Sequence, residues 1–454
     1  MKPTTVESVR QAVRGAIVCG ARDSFVTGVS TDSRNIAPGD LFVALIGDKF
    51  DGHDFIDQAL AAGACGVLYS RDFPISKVHT RNVCLKVADT LVALGDLARA
   101  YRRAIPATVV AVTGSNGKTT TKEMIRHILD GRLETVASPA SFNNFIGVPL
   151  TLFRTDVSTR VAVLEMGTNH PGEIARLAEI AAPDIGVITN VGRSHLEGFS
   201  TIEGVAAAKA ELLHSLAPGA VAILNADDPL VMKMRTIVPD RVFTFGLSAT
   251  ADVFGSRVDR DEKGFRFFIN DAVPAHLAVP GAHNVANALA AVAVCRRLGL
   301  DLNYIAGRLE SFSLPPMRLQ EHLFHGALII NDSYNANPES MARAIDELAA
   351  SKAARRFFVF ADMLELGAHS AALHRELGEK AAAASFDFYW AVGSEAGRAV
   401  KSAVAAGVHK DRARFFDSIK DLGLALVAEI KDGDVVLVKG SRAMGLERVL
   451  DYLK

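Results

Sequence analysis

Short runs rich in Val, Ile, Leu and Phe alternate along this chain with stretches whose apolar positions recur at helical spacing. The first kind predicts buried strands and the second amphipathic helices. Near the N-terminus GDLFVALIG, CGVLYS and VCLKVAD read as strands and IDQALAAGA as a helix. A further helical stretch, TLVALGDLARAYRRAI, stops just before Pro106. ATVVAVTGSNGKTTTKEMIRHILDG then predicts a strand, a glycine-containing loop and a helix closed by Gly131. Apolar runs at Val161–Leu164, Ile185–Thr189 and Ala220–Leu224 follow, and a helix around VANALAAVAVCRRLG is expected to close this second unit. GALIIND, ESMARAIDELAA, RRFFVFAD, LHRELGEKAAAA, FDFYWAVG and DVVLVKGS repeat the alternation. The pattern predicts an α/β protein with parallel sheets faced by helices. Its last part reads as a doubly wound sheet with ligand loops at the strand C-termini. The step Leu314-Pro315-Pro316 interrupts regular structure and stiffens a hinge. Expected domains are 1–88, 89–314 and 315–454, in keeping with a prior of ~150 residues per domain for a chain of 454.

Composition changes the picture mainly by exclusion. Apolar residues make up 49% and charged residues 22%, as in ordinary globular proteins. Fifty basic residues against 51 acidic ones leave no global field to attract nucleic acid or an anionic membrane. An anionic ligand must therefore be held by local devices. Cys19, Cys65, Cys84 and Cys295 are scattered, without CxxC or zinc spacing, and read as core residues in a reducing compartment. The N-terminal MKPTTVESVRQAVRG lacks the apolar stretch of a secretory signal. The longest apolar run, Ala288–Cys295, is far short of the ~20 residues of a membrane span. A cytoplasmic location is expected, with neither nucleic-acid binding nor membrane insertion.

The sharpest chemical signal is TGSNGKTTT after Val109–Val112. Glycines at 114 and 117 let backbone N–H groups approach phosphate oxygens, and the following helix presents its positive end to them. Lys118 would reach the outer phosphates and the Thr119 hydroxyl would ligate magnesium. The general phosphate-loop pattern has glycine where this chain has Val112, so the loop is a variant in the right strand–helix context. Glu165 ends an apolar strand and His195 follows another, both beside this loop, where a carboxylate and an imidazole could hold magnesium. Lys209 shares helical spacing with Val205, Leu212 and Leu216, on the apolar stripe. It is either snorkelling at the edge of that stripe or buried, paired or chemically altered.

Together the motifs resemble the Mur ligases of bacterial cell-wall synthesis. The strings are STDSR, DGHDF, TGSNGKTTTK, SFNNFIGVPL, LEMGTNHPGEI, NVGRSHLEGF, AAAKAEL, PGAHNVANALAA, PMRLQ, NDSYNANPES, ADMLELG and VLVKGSRAMGLE, in order along essentially the whole chain. The shortened loop with Val112 is that family's own form. The resemblance implies a three-domain architecture, with a central P-loop mononucleotide-binding domain and a Rossmann-like C-terminal domain. It implies ATP and two magnesium ions as cofactors, with Thr113, Gly114, Ser115, Asn116, Gly117, Lys118, Thr119 and Thr120 forming the phosphate loop. His283, Asn284 and Asn287 would face the nucleotide, although helix capping would explain the asparagines equally well. Arg318 and Asp332 match positions contacting ATP across a domain boundary. Glu165, His195 and Thr119 match metal positions, and Lys209 matches a carbamylated lysine able to ligate a second magnesium.

For the substrate, the resemblance implies a UDP-N-acetylmuramoyl-tripeptide as one partner and D-alanyl-D-alanine as the other. Ser33 and Arg34 would lie near the UDP, and Asn143 and Asn144 near the acyl end. Tyr334, Asn335 and Asn337 of NDSYNANP point most specifically to the dipeptide-adding type. Lys439, Ser441 and Arg442, placed in a loop after DVVLV, would orient the dipeptide. Lys118, Lys209, His195 and Asp332 form the implied catalytic set, in a chain expected to act as a monomer. The implied reaction makes an acyl phosphate, which the amine attacks through a tetrahedral intermediate. Rival readings are a sister ligase or folylpolyglutamate synthase adding one amino acid, and an ATPase that hydrolyses without ligation. No DNPR-like string occurs in the third unit, which disfavours the first rival.

Overall fold

A computed structural model describes residues 1–71 and 82–453. The first unit is built on a five-stranded sheet in the order Ala16–Cys19, Val83–Lys86, Gly66–Tyr69, Asp40–Val43, Gly28–Ser30. Its strands are parallel except Ala16–Cys19, which runs antiparallel to Val83–Lys86. The helix Thr90–Arg102 starts where the Asp89 carboxylate caps Leu91 and Val92. It buries Leu94, Leu97, Ala98 and Tyr101 in a core that takes in Val9 and Leu85 on one side and Leu152 and Leu177 on the other. One helix thus fuses the first unit to the second.

Tyr101 reinforces that seam: its hydroxyl donates to the Thr155 carbonyl at 2.6 Å and accepts from the Lys2 N–H at 2.8 Å. Tyr101→Phe is expected to lower stability by about 1–2 kcal/mol, because the buried carbonyl loses its donor. The urea midpoint would fall with an unchanged denaturant slope, and an unchanged midpoint would show that the bond contributes nothing.

The second unit contains a nine-stranded sheet. From one edge, Thr135–Ala137, Val161–Glu165, Thr108–Thr113, Ile185–Ile188, Val221–Asn225, Val242–Gly246 and Val253–Arg260 are parallel. Phe265–Ile269 and Val273–Leu277 extend it antiparallel. Thr108–Thr113 is buried on both faces: Val109 and Ala111 enter one core, Val110 and Val112 the other. That is why it reads as continuous hydrophobicity rather than alternation. Its neighbours follow it in sequence on both sides, so its C-terminal end opens at the point where connections diverge to the two halves of the sheet, a position that favours ligand binding.

The helix His283–Arg297 does not close this unit. Another, Leu302–Glu310, follows and returns to the helix Lys118–Leu129, where Arg308 donates to the His127 carbonyl. The sequence pattern predicts parallel sheets, and the antiparallel strands at this edge depart from that. Strand Val253–Arg260 exposes Arg257, Asp259 and Arg260, and Val273–Leu277 exposes Pro274 beside a half-buried His276, a weaker pattern than a doubly buried run.

After the irregular segment 312–316 the third unit begins with the hairpin Gln320–Phe324/Ala327–Asn331. Its two-residue turn places His325 and Gly326 at positive φ, as a primed turn requires. The six-stranded sheet continues in parallel through Val435–Lys439, Arg356–Ala361, Phe388–Val392 and Ala413–Phe416. Phe358 and Phe360 feed the core on one face, Phe357 and Val359 that on the other. The architecture is the expected α/β one with three principal sheets. Among the described residues no helix is long and apolar enough to cross a membrane, and all four cysteines are free.

Candidate active site

The loop after Thr108–Thr113 turns sharply because two glycines adopt positive φ. A Cβ at Gly114 would stand 2.0 Å from Thr189 Oγ1, and one at Gly117 2.2 Å from Asn287 Oδ1. Both positions exclude a side chain, which lets the backbone run close beside the adjoining cavity, while the Ser115 N–H is donated to the Asn190 carbonyl. Asn190 braces the loop, accepting from the Asn116 N–H at 2.9 Å and donating to the Asn116 carbonyl at 3.0 Å. Thr113 is buried beneath and donates to the Met166 carbonyl.

A cavity of about 520 Å³ opens over this loop, lined by Ser115–Thr120 and by further residues of the second and third units, with Leu91 of the helix that joins the first unit to the second. At its floor Lys118 Nζ donates to the Gly114 carbonyl at 2.7 Å. Desolvation lowers the Lys118 pKa; Glu165 opposes that shift and Arg318 adds to it. Glu165 is buried and accepts from Thr119 Oγ1 and Asn143 Nδ2, each at 2.8 Å. Asn144 lines the cavity while its Oδ1 accepts from the Ile146 and Gly147 N–H groups where the helix Gly147–Phe153 begins.

The third unit closes the cavity. Arg318 Nη2 donates to Thr119 Oγ1 at 2.8 Å and stacks its guanidinium 4.2 Å from the Tyr334 ring centroid. Met317 and Leu319, on either side of it, have φ of 60° and 46°, so the hinge backbone is held in a costly left-handed conformation that points Arg318 inwards. The Asn337 and Asn116 side chains exchange hydrogen bonds at 2.9 and 3.3 Å. The Tyr334 hydroxyl meets Ser141, and Arg193 pairs with Glu339 at 3.1 Å and Glu376 at 2.9 Å.

Asp332 receives Lys439 Nζ at 2.5 Å and the Leu319 N–H at 3.2 Å. Lys439 is therefore not a loop residue, as the sequence suggests: it is the last residue of the strand Val435–Lys439, buried, with its charge committed to Asp332. Ser441 is buried, accepting from the Leu364 N–H, and Arg442 is exposed and paired with Glu447. Neither lines the cavity, whereas Asn335 does.

His195 sits at positive φ with Nδ1 2.6 Å from Glu365 Oε2, a close approach without well-angled hydrogen-bond geometry. Glu365, in the ADMLELG string, has its pKa lowered by this contact. Its position across the unit boundary has no periodic signal in the sequence. His283 lines the cavity with its pKa lowered to about 4, first by burial and then by Arg343, so its ring is neutral at physiological pH. Asn287 donates to Asn284 Oδ1 and presses on Gly117, and Asn284 donates to the Pro280 carbonyl.

Lys209 does not snorkel. It is 1% exposed on the helix Ile202–His214, and no hydrogen bond or ion pair reaches its ammonium from the described residues. Burial pushes its pKa down to about 7, reinforced by Lys118 and opposed by Glu211 and Glu173. Ser33 and Arg34 lie apart from the cavity lining: Ser33 donates to Gln58, and Arg34 forks onto Asp32, holding that carboxyl at about 2. Lining residues given no role from the sequence include Phe145, Thr168, Glu173 and Ser340, which lie inside the matched strings, and Arg343, which lies outside them.

Among the described residues no group of three or more His, Cys, Asp or Glu could hold a metal by itself. The buried Glu165 carboxylate beside the Thr119 hydroxyl suits magnesium, which takes one or two protein ligands and completes its shell with phosphate and water.

A variant phosphate loop, a buried carboxylate beside it and a third unit folded over both define a nucleotide-dependent ligase. The chain belongs to the Mur ligase family. Family models described as the Mur ligase family catalytic domain, the Mur ligase middle domain and the Mur ligase glutamate ligase domain match residues 25–102, 112–295 and 317–442. A curated relative from Escherichia coli strain K12, a UDP-N-acetylmuramoyl-tripeptide–D-alanyl-D-alanine ligase, is 38% identical over 95% of this chain and 94% of its own. The structure of MurF from Acinetobacter baumannii matches with a TM-score of 0.90 at 31% identity, covering 100% of this chain and 99% of that one. A MurF ligase from Thermotoga maritima in complex with ADP matches with a TM-score of 0.82 at 32% identity over 94% of this chain and 96% of that one.

Proposed function

We propose that this protein joins D-alanyl-D-alanine to a UDP-N-acetylmuramoyl-tripeptide at the expense of ATP, as a cytoplasmic step of peptidoglycan precursor synthesis. The observation that carries the reading is the shared cavity, in which the phosphate loop and Lys118 face Arg318, Asp332 and Tyr334 of the third unit. Relatives at this identity over nearly the whole chain carry the same activity in their names.

A carboxylate is a poor electrophile, so one of its oxygens first attacks the γ-phosphorus and ADP leaves, giving an acyl phosphate. Lys118, close to the outer phosphates, stabilises the charge that develops on the transferred group. The loop N–H groups hold the β-phosphate, and Arg318 reaches the same end from the third unit. Magnesium would neutralise phosphate charge when bound, and Thr119, Glu165 and His195 would supply the protein ligands, shared between the two ions expected. The dipeptide amine then attacks the acyl carbon, loses a proton, and the tetrahedral intermediate expels phosphate. Asn143 and Asn144 would lie at the acyl end, with Tyr334, Asn335 and Asn337 toward the dipeptide. The contacts of Arg318, Asn337 and Arg193 across the boundary exclude water, which would otherwise hydrolyse the acyl phosphate.

Lys209 is proposed as a carbamate. At physiological pH its depressed pKa leaves much of the amine neutral, and that amine adds to CO2 with loss of a proton. Ser33 and Arg34 are proposed to hold the UDP moiety in the first unit.

Incubation with ATP, magnesium, the tripeptide nucleotide and D-alanyl-D-alanine should convert the nucleotide to a product heavier by one dipeptide residue. Conversion with a single amino acid instead would favour a sister ligase, and phosphate release needing neither partner would leave an ATPase.

A further inference from the structure

We propose that Arg343 is a further nucleotide-binding residue, which holds the ribose-proximal phosphate of ATP and ADP from the third unit. This rests on the reading of the cavity as an ATP site. Of the four Lys and Arg residues lining that cavity, Lys118, Arg318 and Lys439 are tied to Gly114, Thr119 and Asp332. The Arg343 guanidinium has no hydrogen bond or ion pair with any described residue; Glu339 and Asp228 attract it without reaching it. It is half-buried on the helix Pro338–Ala350, whose cap Asn337 is bonded to Asn116 of the phosphate loop. A half-buried arginine left unpaired in a cleft is poorly stabilised unless an anion completes it.

Position identifies which part of the nucleotide it meets. Asn287 presses on Gly117, and His283 stands four residues earlier on the same helix, about one turn away. Arg343 lies beside His283, and with Asn287 these residues also line an adjoining cavity of about 440 Å³ walled by Asn225, Asp228 and Phe245. The lining of that cavity includes neither Lys118 nor any other residue of the phosphate loop, so it offers space for the nucleoside when the outer phosphates occupy the loop. Arg318, by contrast, reaches Thr119 at the γ end. Arg343 thus acts on the part common to ATP and ADP, and Arg318 on the part that reacts.

The test is ADP binding by calorimetry on the full chain, paired with steady-state kinetics. Arg343→Ala should weaken ADP binding and raise the ATP KM, each by about tenfold or more, with kcat changed less than twofold. Arg343→Lys should stay within about threefold of the wild type, since a point charge still meets a phosphate. A merely structural arginine would not give this split or this rescue. Wild-type binding of ADP with unchanged affinity in Arg343→Ala overturns the proposal alone. Failure of the wild type to bind ADP overturns the nucleotide reading and this proposal with it.

Discussion

Lys118→Ala is expected to lower the rate of ligation by about a thousandfold or more while leaving the fold intact. The side chain curls over the loop to the Gly114 carbonyl at 2.7 Å, so its removal leaves an acceptor that water at the cavity floor can satisfy. What would be lost is the ammonium proposed to meet the outer phosphates. Arg318 cannot replace it, because its Nη2 is already committed to Thr119. Single-turnover measurement of ADP formation would localise the defect to phosphoryl transfer. A variant with slow ligation but normal acyl-phosphate formation would mean that Lys118 acts later.

Lys209 gives the second large effect, and it has two readouts of opposite sign. Lys209→Met should lose at least about a hundredfold in activity, because methionine cannot become an anion at that position. The same variant should be more stable than the unmodified wild type at low pH. The unfolded lysine titrates near 10.4, whereas the folded one titrates at about 7. The folded pKa is therefore lowered, and between these values the unfolded chain holds the extra proton. Stability of the unmodified wild type should rise with pH across that window, with the full penalty below about pH 7. In CO2-depleted buffer the advantage of Lys209→Met in urea midpoint should be largest at pH 6 and shrink toward pH 10. An equal advantage at both would mean that the ammonium is hydrated rather than buried. With 13C-bicarbonate, the wild type should show a carbamate carbon signal that Lys209→Met lacks; a wild type without it would remove the proposed modification.

Much of this site is legible in sequence because its parts are local. The strand–loop–helix around Lys118 needs glycines at fixed offsets, and doubly buried strands such as Thr108–Thr113 and Arg356–Ala361 announce themselves as unbroken apolar runs. Lys209 is visible as a charge on an apolar stripe, although spacing could not distinguish snorkelling from burial. What sequence alone conceals is set by tertiary approach. Glu365 meets His195, and Asn337 meets Asn116, only because the third unit folds over the second. Lys439 falls at a strand end rather than in a loop because its backbone stays in register with Phe360 of the neighbouring strand, and no periodicity encodes the pairing of its ammonium with Asp332. The antiparallel strands of the central sheet, half-exposed and broken by a bulge between Ser256 and Asp259, lack the continuous run that identifies their parallel neighbours.

The central claim is that the acceptor carboxylate is activated as an acyl phosphate inside this cavity. Its most direct test uses a UDP-linked tripeptide whose terminal carboxylate carries oxygen-18, incubated with ATP and D-alanyl-D-alanine. The account predicts one labelled oxygen in each phosphate released, because the carboxylate oxygen that attacks the γ-phosphorus leaves with it. Unlabelled phosphate, with the label in AMP or still on the nucleotide peptide, would contradict it.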